Sequence, residues 1–379
     1  MRFTDFKETL LNKWKGISLG IPINPNLKRL KSVLGTWEPN EALLFAGATG
    51  SGKSRYVFKH AVIDSLKYVS KHPKAKIRVL WLSLELSELE MVIMLCQHLF
   101  KEKLEKLYTR DFILNKFQKT EPDKEFFDDL EKIKPSIEYF FSHVTIVTEI
   151  RTVKKWMEYC TKILNDLGTI VDGKYVKKDP NLLVIAVVDT INTFTPEPNQ
   201  TKLMTISDYS ENHMKKTLRN FYGVSLISIQ QLDKQSQTSQ FSNTGKRVAE
   251  KHRVSSENLK DSKSTIDDHS MGIAIFSPHR FHIEHWEGYD IAPFKYSINF
   301  LHILKNNFGE MVDPIAIYTN PMTLEYEEIP NPKSEKTLYD AFMKKHKLTS
   351  EGVNLLQSPA KLQFEQLFNK EENGTIELE

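Results

Sequence analysis

Residues 47–54 read Gly-Ala-Thr-Gly-Ser-Gly-Lys-Ser, the spacing G-x-x-x-x-G-K-[ST]. This octet constrains the fold more than any other stretch. The apolar run at 42–46 (Ala-Leu-Leu-Phe-Ala) predicts a buried strand. Residues 55–66, with Val57, Val62, Ile63 and Leu66 apolar, predict a helix. Strand, glycine turn and helix start together make an anion seat. Glycines let backbone N–H groups curl around phosphate oxygens without Cβ clashes. The helix N-terminus adds about half a positive charge. The seat comprises Gly47, Ala48, Thr49, Gly50, Ser51, Gly52, Lys53 and Ser54, with Arg55 beside it. Lys53 would reach the β- and γ-phosphates, and the Ser54 hydroxyl would hold Mg²⁺. The plainer alternative is a glycine turn that only joins strand to helix.

The rest of the chain supplies strands and helices in alternation. Strands are predicted at 77–84, 144–147, 182–188, 224–229, 271–276 and 299–304, with an edge hairpin at 314–319. Helices are predicted at 3–14, over most of 87–141 and at 152–167. Residues 233–263 are polar and read as a mobile loop. A Pro-Asn-Pro-Lys-Ser stretch from 330 marks a boundary before a charged helical tail, 331–379. Such alternation indicates an α/β fold with a mostly parallel sheet flanked by helices. At 379 residues the chain holds one large domain or two ordinary ones. Its two cysteines, Cys96 and Cys160, exclude a disulfide framework and suggest a reduced, cytoplasmic setting. No apolar stretch is long enough to span a membrane, and the first residues lack a secretory signal. The net charge of +3 does not by itself indicate nucleic acid.

Two carboxylates and an amide stand at strand ends. Asp189 closes the most apolar strand, where a carboxylate is costly without a partner. It fits a Mg²⁺ ligand acting through water, or alternatively a helix N-cap. Glu85 closes another strand. It suits a base that polarises a water molecule, or an ordinary first-turn glutamate. Gln231, or Gln230 beside it, suits a γ-phosphate sensor or a surface amide.

In order along residues 18–330, these features resemble the motor domain of DnaB-type hexameric replicative helicases, a branch of the RecA-like ATPases. Residues 20–34 and 47–54 resemble the entry to that domain. Residues 82–87 resemble the second motif. The Asp189 strand and residues 229–234 resemble the next two. Residues 259–264 and 266–268 resemble the DNA-loop motif, and 305–309 the last one. The resemblance implies a RecA-like P-loop core, ATP and Mg²⁺ as cofactors, and a six-membered ring around single-stranded DNA. It implies that Glu85 is the catalytic base, Asp189 the metal aspartate and Gln231 the sensor. Lys305 would serve the neighbour's nucleotide, and residues 260–264 would face the DNA backbone. Residues 1–17 resemble the linker helix that docks on the adjacent subunit. The primase-binding N-terminal domain of cellular members has no counterpart in this sequence, a reduced form that suits a phage or plasmid. Primase or a loader would be further partners.

Two positions depart from the pattern. Asn307 stands where the family has an arginine finger, a group worth ~10³–10⁵ in rate. Another residue, Arg280 for example, would have to supply it, or turnover would be weak. Lys263 replaces a usual glycine.

Local charge supports a nucleic-acid partner. Residues 233–263 carry seven positive and four negative side chains. Lys246, Arg247, Lys251, Arg253, Lys260, Ser262 and Lys263 are the expected DNA contacts. The alternative is a solvated loop. His279, His282 and His285 recur every third residue, but no cysteine completes a metal site. The leading expectation is a ring-forming, ATP-driven helicase. The alternatives are a recombinase-like filament and a non-motor ATP-dependent switch.

Overall fold

Apolar runs that end in glycine, carboxylate or amide residues become the parallel strands of a nine-stranded sheet in the computed structural model. The structure describes residues 3–14, 20–22, 27–116, 121, 123–233 and 253–356. Helix α1 (Phe3–Trp14) comes first, then a short strand pair, β1 (Ile21–Pro22) and β2 (Thr36–Trp37), around α2 (Lys28–Leu34). Strand β3 (Ala42–Gly47) leads through the glycine loop into α3 (Lys53–Val57). A π-helical turn, Phe58–Ile63, joins α3 to α4 (Asp64–Lys71). Strand β4 (Lys76–Ser83) precedes α5 (Glu88–Leu104), α6 (Arg110–Ile113) and α7 (Lys124–His143). Then come β5 (Val144–Val147), α8 (Val153–Leu167), the hairpin β6 (Gly168–Val171) and β7 (Lys174–Lys177), and β8 (Leu182–Asp189). Helix α9 (Lys202–Asp208) continues as π-helix over Tyr209–Phe221 and returns to β9 (Ser225–Gln231). Strand β10 (Met271–Phe276), the small hairpin β11 (His285–Trp286) and β12 (Tyr289–Asp290), β13 (Ile298–Asn306), β14 (Ile315–Asn320), β15 (Glu325–Glu328) and α10 (Lys336–Leu356) follow.

The sheet order is β15-β14-β13-β10-β3-β9-β8-β4-β5. Strands β10, β3, β9, β8, β4 and β5 run parallel, and β13, β14 and β15 extend the sheet antiparallel. Register places Gly47 beside both Gln231 and Ile275, and Asp189 beside both Ser83 and Ile229. The carboxyl ends of the parallel strands therefore share one edge, as open α/β sheets require for a ligand cleft.

Side chains alternate between two core layers. Leu183, Ile185 and Val187 of β8 join Phe58 and Trp81 on one face, while Val184, Ala186 and Val188 join Trp156, Phe194 and Tyr209 on the other. Burial on both faces explains why this strand reads as an unbroken apolar run.

The hairpin β6–β7 and the helix over 202–221 are among the elements that escape the sequence pattern. That helix starts at Thr201, whose side chain accepts from the Met204 N–H. Its buried apolar residues, Ile206, Tyr209, Met214 and Leu218, are spaced by three, five and four. The step of five falls in the π-helical part and hides the usual period. The expected boundary at 330 does not isolate the start of the tail. Tyr339 and Phe342 of α10 are buried with Tyr289 and Phe300.

Candidate nucleotide site and basic segment

The glycine loop sits at the carboxyl edge of the sheet, between β3 and α3. Gly50 and Gly52 adopt φ of +71° and +89°, the left-handed region that costs a side-chain-bearing residue most. Lys53 folds back over the loop, and its Nζ donates to the Ala48 carbonyl at 2.9 Å. Burial lowers the Lys53 amine to about 8, with Glu85 and Asp189 opposing that shift and Arg280 adding to it. A phosphate in the loop would supply the negative charge that this ammonium lacks. Ser51 is buried here too, and the Arg55 guanidinium donates to the Pro321 carbonyl.

Asp189 is fully buried at the end of β8. Ser54 Oγ donates to its Oδ1 at 2.9 Å, while Oδ2 has no partner among the described residues. Burial raises this carboxyl to about 7; the Ser54 hydrogen bond opposes, Glu85 adds, and Lys53 opposes. A buried, half-satisfied carboxylate beside a serine hydroxyl is a hard-oxygen pair that fits Mg²⁺.

Glu85 stands exposed just beyond the end of β4, and the Gln231 amide donates to its Oε1 at 2.6 Å. Lys260 Nζ donates to Gln231 Oε1 at 3.2 Å. One hydrogen-bonded chain therefore runs from a lysine of the basic segment to the carboxylate expected to act as base. The adjacent amides divide the work. Gln230 is buried and donates to the carbonyls of Lys260 and Ser262 at 2.7 and 2.9 Å, so it anchors the segment. Only Gln231 reaches Glu85, because neighbouring strand residues face opposite ways.

Asn192 is a site residue that the sequence did not single out. Its Nδ2 donates to the Lys260 carbonyl and to Asp261 Oδ2, and its Oδ1 accepts from the Gln231 N–H. It ties β8, β9 and the segment together. Its signal is slight, a single asparagine three residues after Asp189.

Of the expected loop, residues 233 and 253–263 are described. Residues 253–263 do not form a loose loop. Leu259 is buried and bridges to Leu232 at the end of β9. Ser262, expected to meet DNA, is 1% exposed and bonded within the protein. Its hydroxyl lies 3.4 and 3.2 Å from those of Ser207 and Ser264, and burial keeps it from presenting itself to a backbone phosphate. Lys263 is exposed and pairs with Glu257, and Arg253 pairs with Glu287. Lys246, Arg247 and Lys251 lie outside the described residues.

Lys305 sits at the other end of the sheet, opposite Gly272 at the start of β10. Its Nζ donates to the carbonyls of Ile266 and Asp267. Lys305 and Asn307 therefore lie away from the glycine loop of their own chain. Arg280 does the reverse. Its guanidinium donates to the Thr49 carbonyl of its own loop. The three histidines do not converge: His279 packs edge-on to Tyr296 and His285 faces Asp290. Among the described residues no three histidine, cysteine or carboxylate side chains gather into a metal site.

A cleft of about 590 Å³ opens from the loop and is lined by residues that include Ser54, Glu85, Arg110, Tyr296 and Tyr326. Its size suits a nucleotide. Arg110 is held there by both oxygens of Glu90.

This fold, with its glycine loop at the carboxyl edge, is that of a RecA-like P-loop ATPase core. More particularly, it is similar in fold to solved ATPase and replicative-helicase domains. The structure is similar to a solved ATPase domain, with a TM-score of 0.59 and 15% identity over 86% of this chain and 98% of that one. It is likewise similar to a DnaB-like replicative helicase described with its interactions with primase. There the TM-score is 0.58 and the identity 15%, over 84% of this chain and 67% of that one. At this identity the likeness is one of fold. No family model and no curated protein matches the sequence. Among the described residues no helix is long and apolar enough to cross a membrane.

Proposed function

We propose that this chain is an ATP-driven motor that moves on single-stranded DNA and unwinds duplex at a replication fork, as a homo-oligomeric ring. The compartment that suits it is a reducing cytoplasm, because Cys96 and Cys160 are both buried free thiols. The observation that carries the reading is the chain from Lys260 through Gln231 to Glu85. It joins a basic segment to a carboxylate at the rim of the phosphate seat. A DNA phosphate that drew Lys260 away would release Gln231, and with it Glu85. Glu85 would then be free to take a proton from an attacking water. Ser54 and Asp189 would hold a Mg²⁺ ion, which when bound would neutralise charge on the phosphates. Lys53 would bind the β- and γ-phosphates. Lys305, at the opposite end of the sheet, is suited to serve a neighbouring subunit's nucleotide in a ring, and primase or a loader would act on that ring from outside.

The test is ATP hydrolysis with and without single-stranded DNA, together with unwinding of a forked duplex, for wild type and Lys53→Ala. Wild type is expected to be stimulated by DNA and to unwind the fork, and Lys53→Ala to do neither. An assembled, ATP-binding ring with no stimulation and no unwinding would overturn the proposal. Asn307 favours a second reading, a non-motor switch. Tight ATP binding with negligible hydrolysis, even with DNA, would support that instead.

A further inference from the structure

Arg280 takes no part in the hydrogen-bonded chain from Lys260 to Glu85, yet its side chain lies on the phosphate loop. Strand β10 runs beside β3, with Ile275 opposite Gly47, and the chain then turns through the short helix Pro278–Phe281. Pro278 and Phe281 are buried, so the turn is fixed at both ends, and Arg280 between them is left to cross to the Thr49 carbonyl. A Cβ built on Gly50 would lie 2.9 Å from Arg280 Nη1. The guanidinium therefore sits against the Thr49–Gly50 peptide. One residue earlier in the same loop, the Ala48 carbonyl accepts from Lys53 Nζ. Two cations thus bond to adjacent carbonyls of one anion seat, bonds that a phosphate would outcompete. At the far end of the sheet the corresponding group is missing: position 307 is an asparagine whose backbone N–H donates to the Ser270 carbonyl.

We propose that Arg280 is a catalytic residue acting in cis, supplying from its own subunit the guanidinium that stabilises charge on the transferring phosphoryl group. The proposal rests on the ATPase reading above. In the step, the oxygen of water bonds to the γ-phosphorus as the bond from that phosphorus to the β–γ bridging oxygen breaks. ADP leaves with the electron pair, and Glu85 takes the proton from water. Arg280 faces the negative charge that builds on the γ-phosphoryl and bridging oxygens. Its planar fork suits two such oxygens at once, which a lysine cannot match.

The test uses full-length wild type, Arg280→Ala, Arg280→Lys and Lys53→Ala. Binding of a fluorescent ATP analogue and single-turnover hydrolysis with single-stranded DNA are measured for each. Arg280→Ala is expected to bind nucleotide within about threefold of wild type and to hydrolyse it ~10³-fold more slowly. Arg280→Lys, which keeps the charge and guards against misfolding of the alanine variant, is expected to be slowed as well. Arg280→Ala and Lys53→Ala subunits are then mixed. A residue acting in cis shares its site with Lys53, so mixing is expected to restore nothing. A residue acting in trans would let an Arg280→Ala subunit with intact Lys53 fire against a Lys53→Ala neighbour with intact Arg280. Recovery on mixing, or an unchanged rate in both Arg280 variants, would overturn the inference while leaving the ATPase reading intact. A wild type that binds ATP and never turns it over would overturn both.

Discussion

Asp189 is a buried carboxyl whose ionised form a cation would favour. Burial and the nearby Glu85 lift its carboxyl to about 7, against the Ser54 hydrogen bond and Lys53. A carboxyl titrates near 4 in the unfolded chain, so the fold favours its protonated form. This group therefore lowers stability progressively as pH rises from about 4 through 7, and a bound cation removes that loss by pairing with the ionised form. The thermal stabilisation given by Mg²⁺ and nucleotide is expected to grow between about pH 6 and pH 8 in wild type. Asp189→Asn is expected to flatten that dependence, and a melting series across this range checks it. Asp64 is the opposite case. Burial alone would raise its carboxyl, but His60 and Lys59 hold it well below the usual range. Removing it strands a buried lysine, and Asp64→Ala is expected to cost ~3–5 kcal/mol in chemical denaturation.

At the scale of elements, regular structure is interrupted beside the candidate site. The π-helical turn Phe58–Ile63 follows the first turn of the phosphate-loop helix and brings both Lys59 and His60 to Asp64. The end of β9 acts as a junction, with Gln230 inward to the basic segment and Gln231 outward to Glu85. If that junction couples DNA to hydrolysis, Gln231→Ala is expected to bring the ratio of DNA-stimulated to unstimulated ATPase close to one. Steady-state rates with and without an oligonucleotide measure it. A ratio equal to wild type would remove Gln231 from the coupling.

The whole molecule has two ends with different chemistry. The glycine loop, Glu85, Asp189 and Gln231 share the carboxyl edge of the parallel strands, and Lys305 and Asn307 lie at the other. Helix α1 leaves Phe3 77% and Trp14 89% exposed, with Leu10 and Leu11 exposed as well. Apolar side chains in that state suit a surface on another copy of the chain. Deleting residues 1–17 is expected to dissociate the assembly, read as a fall in mass by light scattering. An unchanged assembly would count against a linker role for this helix.

The parallel strands, the glycine loop and the strand-end positions of Glu85, Asp189 and Gln231 were legible in the sequence, because each rests on local pattern. A buried strand must be continuously apolar, and a loop that wraps phosphate must carry glycines at set spacing. The helix over 202–221 was not legible, because its π-helical step breaks the period that reveals helices. Nor could spacing separate Gln230 from Gln231, since the pleat of β9 decides which of them meets Glu85. Arg280 lies 231 positions from Thr49 in the chain, and only the pairing of β10 with β3 brings its guanidinium to the loop. Local residue chemistry thus specified what the phosphate seat is made of. Strand order, a property of the packed sheet as a whole, decided which distant charges surround it.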